Sequence, residues 1–154
     1  SGSKKFRFQF RFRFRFRGRS SGQGSGSSSG FPRRACLISR SAAWLHEAAK
    51  VYRDKTLDAA IDRLETAAKA AEASTKNCDA QMIAAERGFL APDGLVDRPW
   101  YRHLATGPDP DNGYGALLLP EVARAKGAVA KTKAIARLVA AIDRVSSALA
   151  SCTP

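Results

Sequence analysis

Two periodicities divide the chain. In residues 4–19, KKFRFQFRFRFRFRGR, Phe and Arg alternate with period two, so an extended backbone would carry Phe6 through Phe16 on one face and the cations on the other. From Ser41 onward the apolar residues recur at three and four positions instead, the spacing of amphipathic helices. Ala is abundant there, and it favours helix because it loses no side-chain entropy. Between the two lies GRSSGQGSGSSSG, residues 18–30, whose Gly and Ser have the composition of a flexible linker. The expected organisation is a low-complexity tail and linker over 1–30 and a helical domain over 31–154.

The spacing predicts four helices. Trp44, Leu45, Ala48, Ala49 and Tyr52 make the stripe of the first, from Ala42 to about Arg53. The second begins after Thr56 as N-cap, with Asp58 set against the positive end of the helix dipole, and buries Leu57, Ala60, Ile61, Leu64, Ala68 and Ala71. The third runs from Asn77, read as its cap, to about Leu90, with Met82, Ile83, Glu86 and Phe89 along one side. The last spans Ala128 to Ala150 and carries Ile135, Leu138, Val139, Ile142, Val145 and Leu149. The expected fold class is all-α, a four-helix-bundle-like domain with one long ordered loop, preceded by a disordered tail. Its stripes are rich in Ala, so each side chain buries little area, and the domain is expected to lean on a partner surface.

The loop, Ala91 to Leu119, breaks the bundle pattern. Loops beyond roughly 15 residues are uncommon in compact domains unless functional or disordered, and Trp100, Tyr101 and Tyr114 argue for order. Pro92-Asp93-Gly94 is a turn sequence, and Pro99 holds Asp97-Arg98 extended. Arg98 and Arg102 are expected to pair with Asp97 or Glu86 and pin the loop.

Charge changes the picture of the tail but not of the domain. The formal net charge is +12, from 26 basic and 14 acidic residues. Eleven of those cations, and no acid, fall in residues 1–40, which leaves 15 against 14 in the helical part. The tail therefore reads as an anchor for an anionic surface, nucleic acid or membrane, as a self-associating strand, or as a low-complexity appendage with no role of its own. No specific nucleic-acid partner is expected for the domain. No run approaches the roughly 20 apolar residues of a membrane span, no apolar signal segment opens the chain, and a start at Ser1 rather than Met reads as a fragment.

Candidate chemistry is sparse. Cys36, Cys78 and Cys152 are odd in number and far apart, and they read as three unpaired thiols, with one disulfide in an oxidising compartment as the alternative. His46 and His103 are the only histidines, too few for a closed zinc site or a two-metal centre. There is no G-x-S-x-G elbow, no phosphate-binding Gly loop and no Cys-His pairing with an orienting residue. His46, beside the first stripe, reads as a half-buried surface residue.

The segment from Gln81 to Tyr114 carries more information than any other. Glu86, Arg87 and Phe89 close a helix; Pro92, Gly94 and Leu95 follow; then Asp97 through His103, DRPWYRH; then Pro108, Asn112 and Tyr114. This arrangement resembles the C-terminal helical domain of the glutamate carboxypeptidase II and transferrin receptor family, tightly over 81–114 and as helical pattern elsewhere in 41–149. The resemblance implies a dimerisation domain, a homodimer, and packing against the peptidase domain of the same protein. In that family catalysis rests on two zinc ions and a Glu general base in the peptidase domain, none of whose motifs occurs here, so this chain is expected to be no enzyme and to hold no cofactor. The resemblance also implies a membrane-anchored or secretory-pathway parent. A Lys-Tyr pair in the family's loop reaches a substrate's terminal glutamate; Tyr114 matches that tyrosine and Asn112 a neighbouring loop position, while Gly113 stands where the lysine would be. Tyr114 and Asn112 are thus the expected substrate-side residues of an intact parent. Arg98, Trp100, Tyr101, Arg102 and His103 are expected to form the dimer and loop scaffold.

Overall fold

A computed structural model describes residues 42–152. The Phe/Arg tail, the Gly/Ser linker and Cys36 lie outside those residues. The described part is mostly helical: α1 over 42–49, α2 Lys55–Glu72, α3 Asp79–Gly88, a short α4 Pro120–Arg124 and a long α5 Ala128–Ala150, with strands β1 Thr106–Pro108 and β2 Ala116–Leu118 between α3 and α4. The all-α expectation is corrected by this small antiparallel hairpin, in which Thr106 faces Leu118 and Pro108 faces Ala116. Three-residue strands are too short to show an alternation in sequence.

Helix α5 is the organising element, because α2 and α3 both pack along it. Its buried residues Ala134, Ile135, Leu138, Ala141, Ile142, Val145 and Leu149 meet Leu57, Ala60, Ile61, Leu64, Ala68 and Ala71 from α2 in one core. Ala42, Leu45 and Ala49 of α1 join that core. Alanine at so many of these positions lets the helix axes approach closely.

The helix boundaries differ from expectation where polar side chains compete for backbone amides. Helix α1 stops at 49, and Arg53 takes a left-handed conformation, φ 50°, in the reversal that follows. Asp54, not Thr56, caps α2: its carboxylate accepts from the Thr56 and Leu57 amides at 2.9 and 3.1 Å and also from the Thr56 hydroxyl. Helix α3 starts one residue later than expected, with Cys78 at the cap, while the Asn77 side chain accepts from the Asp79 amide at 3.1 Å in a local turn. Its inner face is Met82, Ala85 and Gly88, continued by Phe89; Ile83 and Glu86, expected on that side, are exposed. Gly88 is the reason, since a Cβ there would lie 2.7 Å from Val145 Cγ2, so α3 rotates its smallest residue onto α5. Arg144 then donates to the Gly88 carbonyl at 3.0 Å, satisfying an orphan acceptor at the end of α3.

The reading of three unpaired thiols is overturned. Cys78 and Cys152 form a disulfide, with Cα atoms 5.6 Å apart, that ties the start of α3 to the end of α5 across 74 residues. Wide separation in sequence had concealed a junction that only helix packing creates. Among the described residues no helix is long and apolar enough to cross a membrane.

Candidate functional site

The segment between α3 and α4 folds into an ordered double strand of chain rather than an open loop. Pro92, Asp93 and Gly94 turn the chain, with the Gly94 amide donating to Ala91 O at 3.1 Å. Gly94 has φ 71°, and a Cβ on it would lie 2.0 Å from the Pro99 carbonyl oxygen, so only glycine fits. The next turn places Arg98 N 3.0 Å from Leu95 O, after which the chain returns beside itself: Ala91 N donates to Arg102 O at 2.9 Å, Leu95 N to Tyr101 O at 2.8 Å and Leu104 N to Phe89 O at 3.0 Å. These are the backbone bonds that let so much non-helical chain sit on a helical core.

Side chains of the DRPWYRH run then fasten the hairpin stem. Arg98 is buried, and its Nη1 donates to Pro108 O at 2.8 Å while its guanidinium lies 5.7 Å from the Tyr101 ring centroid. The Tyr101 hydroxyl donates to Thr106 O at 2.9 Å, and its ring sits against Gly107. His103 Nδ1 accepts from the Thr106 amide at 3.1 Å, and the imidazole lies 5.5 Å from the Phe89 ring. Burial lowers the pKa of His103, so the neutral ring is favoured and its Nδ1 is free to accept. Arg98, Tyr101 and His103 are thus brought together on the stem. Trp100 and Arg102 are not: both face outward, Trp100 with 79 % of its surface exposed.

Of the expected pairings of Arg98 or Arg102 with Asp97 or Glu86, the Arg98–Asp97 ion pair forms, at a long 3.8 Å, and the same carboxylate takes Arg124 Nε of α4 at 2.6 Å, while Arg102 and Glu86 are exposed. The stronger clasp comes from Arg137 on α5, a residue the sequence did not single out. Its Nη2 donates to Asp93 Oδ1 at 2.7 Å and to Gly94 O at 2.8 Å, and its Nη1 to Glu121 Oε1 at 3.2 Å. Glu121 is buried, and desolvation raises its pKa against the opposing pull of Arg137. Arg137 sits on a polar stripe of α5, and nothing near it in sequence signals a partner 44 residues away.

At the far end of the hairpin, Asp109 N donates to Gly115 O at 2.9 Å and Gly115 N to Asn112 O at 2.8 Å, closing the tip. Asn112, Gly113 and Tyr114 are all exposed there, Tyr114 completely. The tip holds up a phenol without enclosing it. Elsewhere, Trp44, Ile83, Phe89, Leu90, His103 and Thr106 line an open, mainly apolar groove of about 490 Å³.

No group of three His, Cys, Asp or Glu side chains among the described residues could hold a metal ion. His46, half-buried, has its Nε2 3.3 and 3.4 Å from the carboxylates of Asp62 and Glu65 at the surface. The donor set of the described residues therefore does not fit a zinc centre.

The described residues form a helical core that carries an ordered, outward-facing hairpin. Residues 38–153 match the family model described as the transferrin receptor-like dimerisation domain, and the chain belongs to that family. It is similar to a probable glutamate carboxypeptidase of Arabidopsis thaliana, 34 % identical over 76 residues, which cover 44 % of this chain and 11 % of that protein. It is also similar to a probable glutamate carboxypeptidase of Arthroderma benhamiae, 38 % identical over 63 residues, 41 % of this chain and 8 % of that protein. The chain thus spans about a tenth of the length of these relatives.

Proposed function

We propose that residues 31–154 form a non-catalytic association module, a helical bundle that pairs with a second copy of itself and, in an intact parent of the glutamate carboxypeptidase kind, packs on a peptidase domain that holds two zinc ions. In such a parent the hairpin tip completes the substrate pocket, with Tyr114 as a hydrogen-bond donor to a substrate carboxylate and Asn112 shaping the turn. Gly113 supplies no cation beside that phenol, so the charge-assisted half of the contact is missing and preference for a terminal glutamate is weakened. The observation that carries this reading is the contrast between the two ends of one hairpin. Its stem is fixed by Arg98, Tyr101 and His103, while its tip leaves Tyr114 wholly in solvent, an arrangement suited to a partner that supplies the other wall.

Light scattering on the 154-residue chain across a concentration series tests the association. A dimer that dissociates on dilution is expected, and Trp100→Ala should weaken it by roughly tenfold or more, as removal of an exposed aromatic anchor does at an interface. A folded monomer at every concentration would overturn the reading. A second reading is favoured by the charge distribution alone: residues 1–40 hold eleven of the twelve excess positive charges, so the tail is a candidate binder of DNA or anionic vesicles. That binding should weaken steeply with salt and vanish on deletion of residues 1–30.

A further inference from the structure

The Cys78–Cys152 junction sits where three helices end. Cys152 is buried, its carbonyl accepts from the Ser74 hydroxyl at 2.8 Å just past the end of α2, and Cys78 opens α3. Of the elements meeting there, α3 has the least to hold it. It is ten residues long, its cap makes no side-chain hydrogen bond, and its buried set is Met82, Ala85 and Gly88. Helix α2, by contrast, is capped by Asp54 and buries Leu57, Ile61 and Leu64. Helix α3 is also a wall of the apolar groove, through Ile83 and the adjoining Phe89 and Leu90.

We infer that the Cys78–Cys152 disulfide is a redox-conditional staple, formed in an oxidising compartment, that fixes α3 on α5 and so sets the shape of the groove wall. Closure needs a disulfide-bearing oxidant such as oxidised glutathione. One cysteine thiolate attacks the oxidant's sulfur and expels a thiolate; the second then attacks the resulting mixed disulfide and expels the other. The two protein thiols are oxidised and the oxidant is reduced to two thiols, which carry off both protons and both electrons. Reduction reverses the exchange and leaves α3 held by its few apolar contacts and the Arg144 bond to the Gly88 carbonyl. Compartment follows from the same chemistry, because such cross-links persist where glutathione does not keep thiols reduced.

The test uses the full chain equilibrated in oxidised or in reduced glutathione and alkylated with iodoacetamide under denaturing conditions. After oxidation one cysteine is expected outside the cross-link, Cys36, as an alkylated thiol or a glutathione adduct told apart by mass, and three labels are expected after reduction. Three labels after oxidation, or a cross-link that includes Cys36, would overturn the assignment. Hydrogen exchange on the two samples reads the consequence: amides of 79–88 should exchange at least about tenfold faster once reduced, and by a larger factor than α2 amides 57–68, which share only the loss of global stability. Unchanged protection over α3, or an equal change in α3 and α2, would each remove the staple from the α3–α5 seam. A Cys36→Ser chain, which keeps the pair, must reproduce both results.

Discussion

Gly94 and His103 show how single residues fix the hairpin stem. Gly94 combines a positive φ with a carbonyl in the space a side chain would need. Alanine there meets both penalties, the left-handed conformation at about 1–2 kcal/mol and the collision with Pro99 in addition. Gly94→Ala should therefore lower stability by roughly 2–3 kcal/mol in urea unfolding, a large loss by the standard of single substitutions. His103 acts through protonation. Its pKa is lowered by burial, so the unfolded chain takes up a proton at a pH where the folded one still resists. That contribution to stability is intact above the unfolded value near 6.5 and is lost as pH falls from there through the folded value. Thermal unfolding followed from pH 7.5 down to pH 5 should show this decline, and it should flatten in His103→Asn. At this scale the sequence was partly legible. The DRPWYRH run pointed to Arg98 and its Asp97 partner, but not to the Pro108 carbonyl that the buried guanidinium also meets or to Arg124 as the closer partner of Asp97.

The elements were legible wherever a long apolar repeat ran uninterrupted. Helix α5 occupies the span that its stripe predicts, and the apolar face of α2 is the expected one. Short elements were not: α3 rotated to bury Gly88, a residue that carries no hydrophobic signal, and both α4 and the hairpin are too brief to show a period. The joint between elements rests on Arg137, which binds Asp93, Gly94 O and Glu121 together and so anchors the stem to α5. Arg137→Met leaves the Glu121 carboxylate buried without its partner, and should cost roughly 2–4 kcal/mol. Adding Glu121→Gln to that variant should restore part of the loss, because a neutral amide needs no counter-charge. Equal destabilisation in the single and double variants, measured by chemical unfolding, would show that the clasp works through Asp93 and Gly94 alone.

For the whole molecule, the cross-link and the core act together. A loop of 74 residues closed by Cys78 and Cys152 restricts the unfolded chain by about 4 kcal/mol in the loop-entropy account, a large share of the few kcal/mol by which domains of this size are stable. An Ala-rich core that buries little area per side chain makes that share matter more. Sequence by itself determined the mainly helical class, the concentration of positive charge ahead of a nearly neutral stretch, and the family, because periodicity, composition and a fixed run of turn and aromatic residues are local properties of a chain. Tertiary structure alone decided which thiols meet, which face α3 turns inward, which arginine holds the loop, and that Tyr114 stands in solvent. Each of those depends on how closely two helices approach or on what lies tens of residues away, and neither distance is written in the spacing of neighbours along the chain.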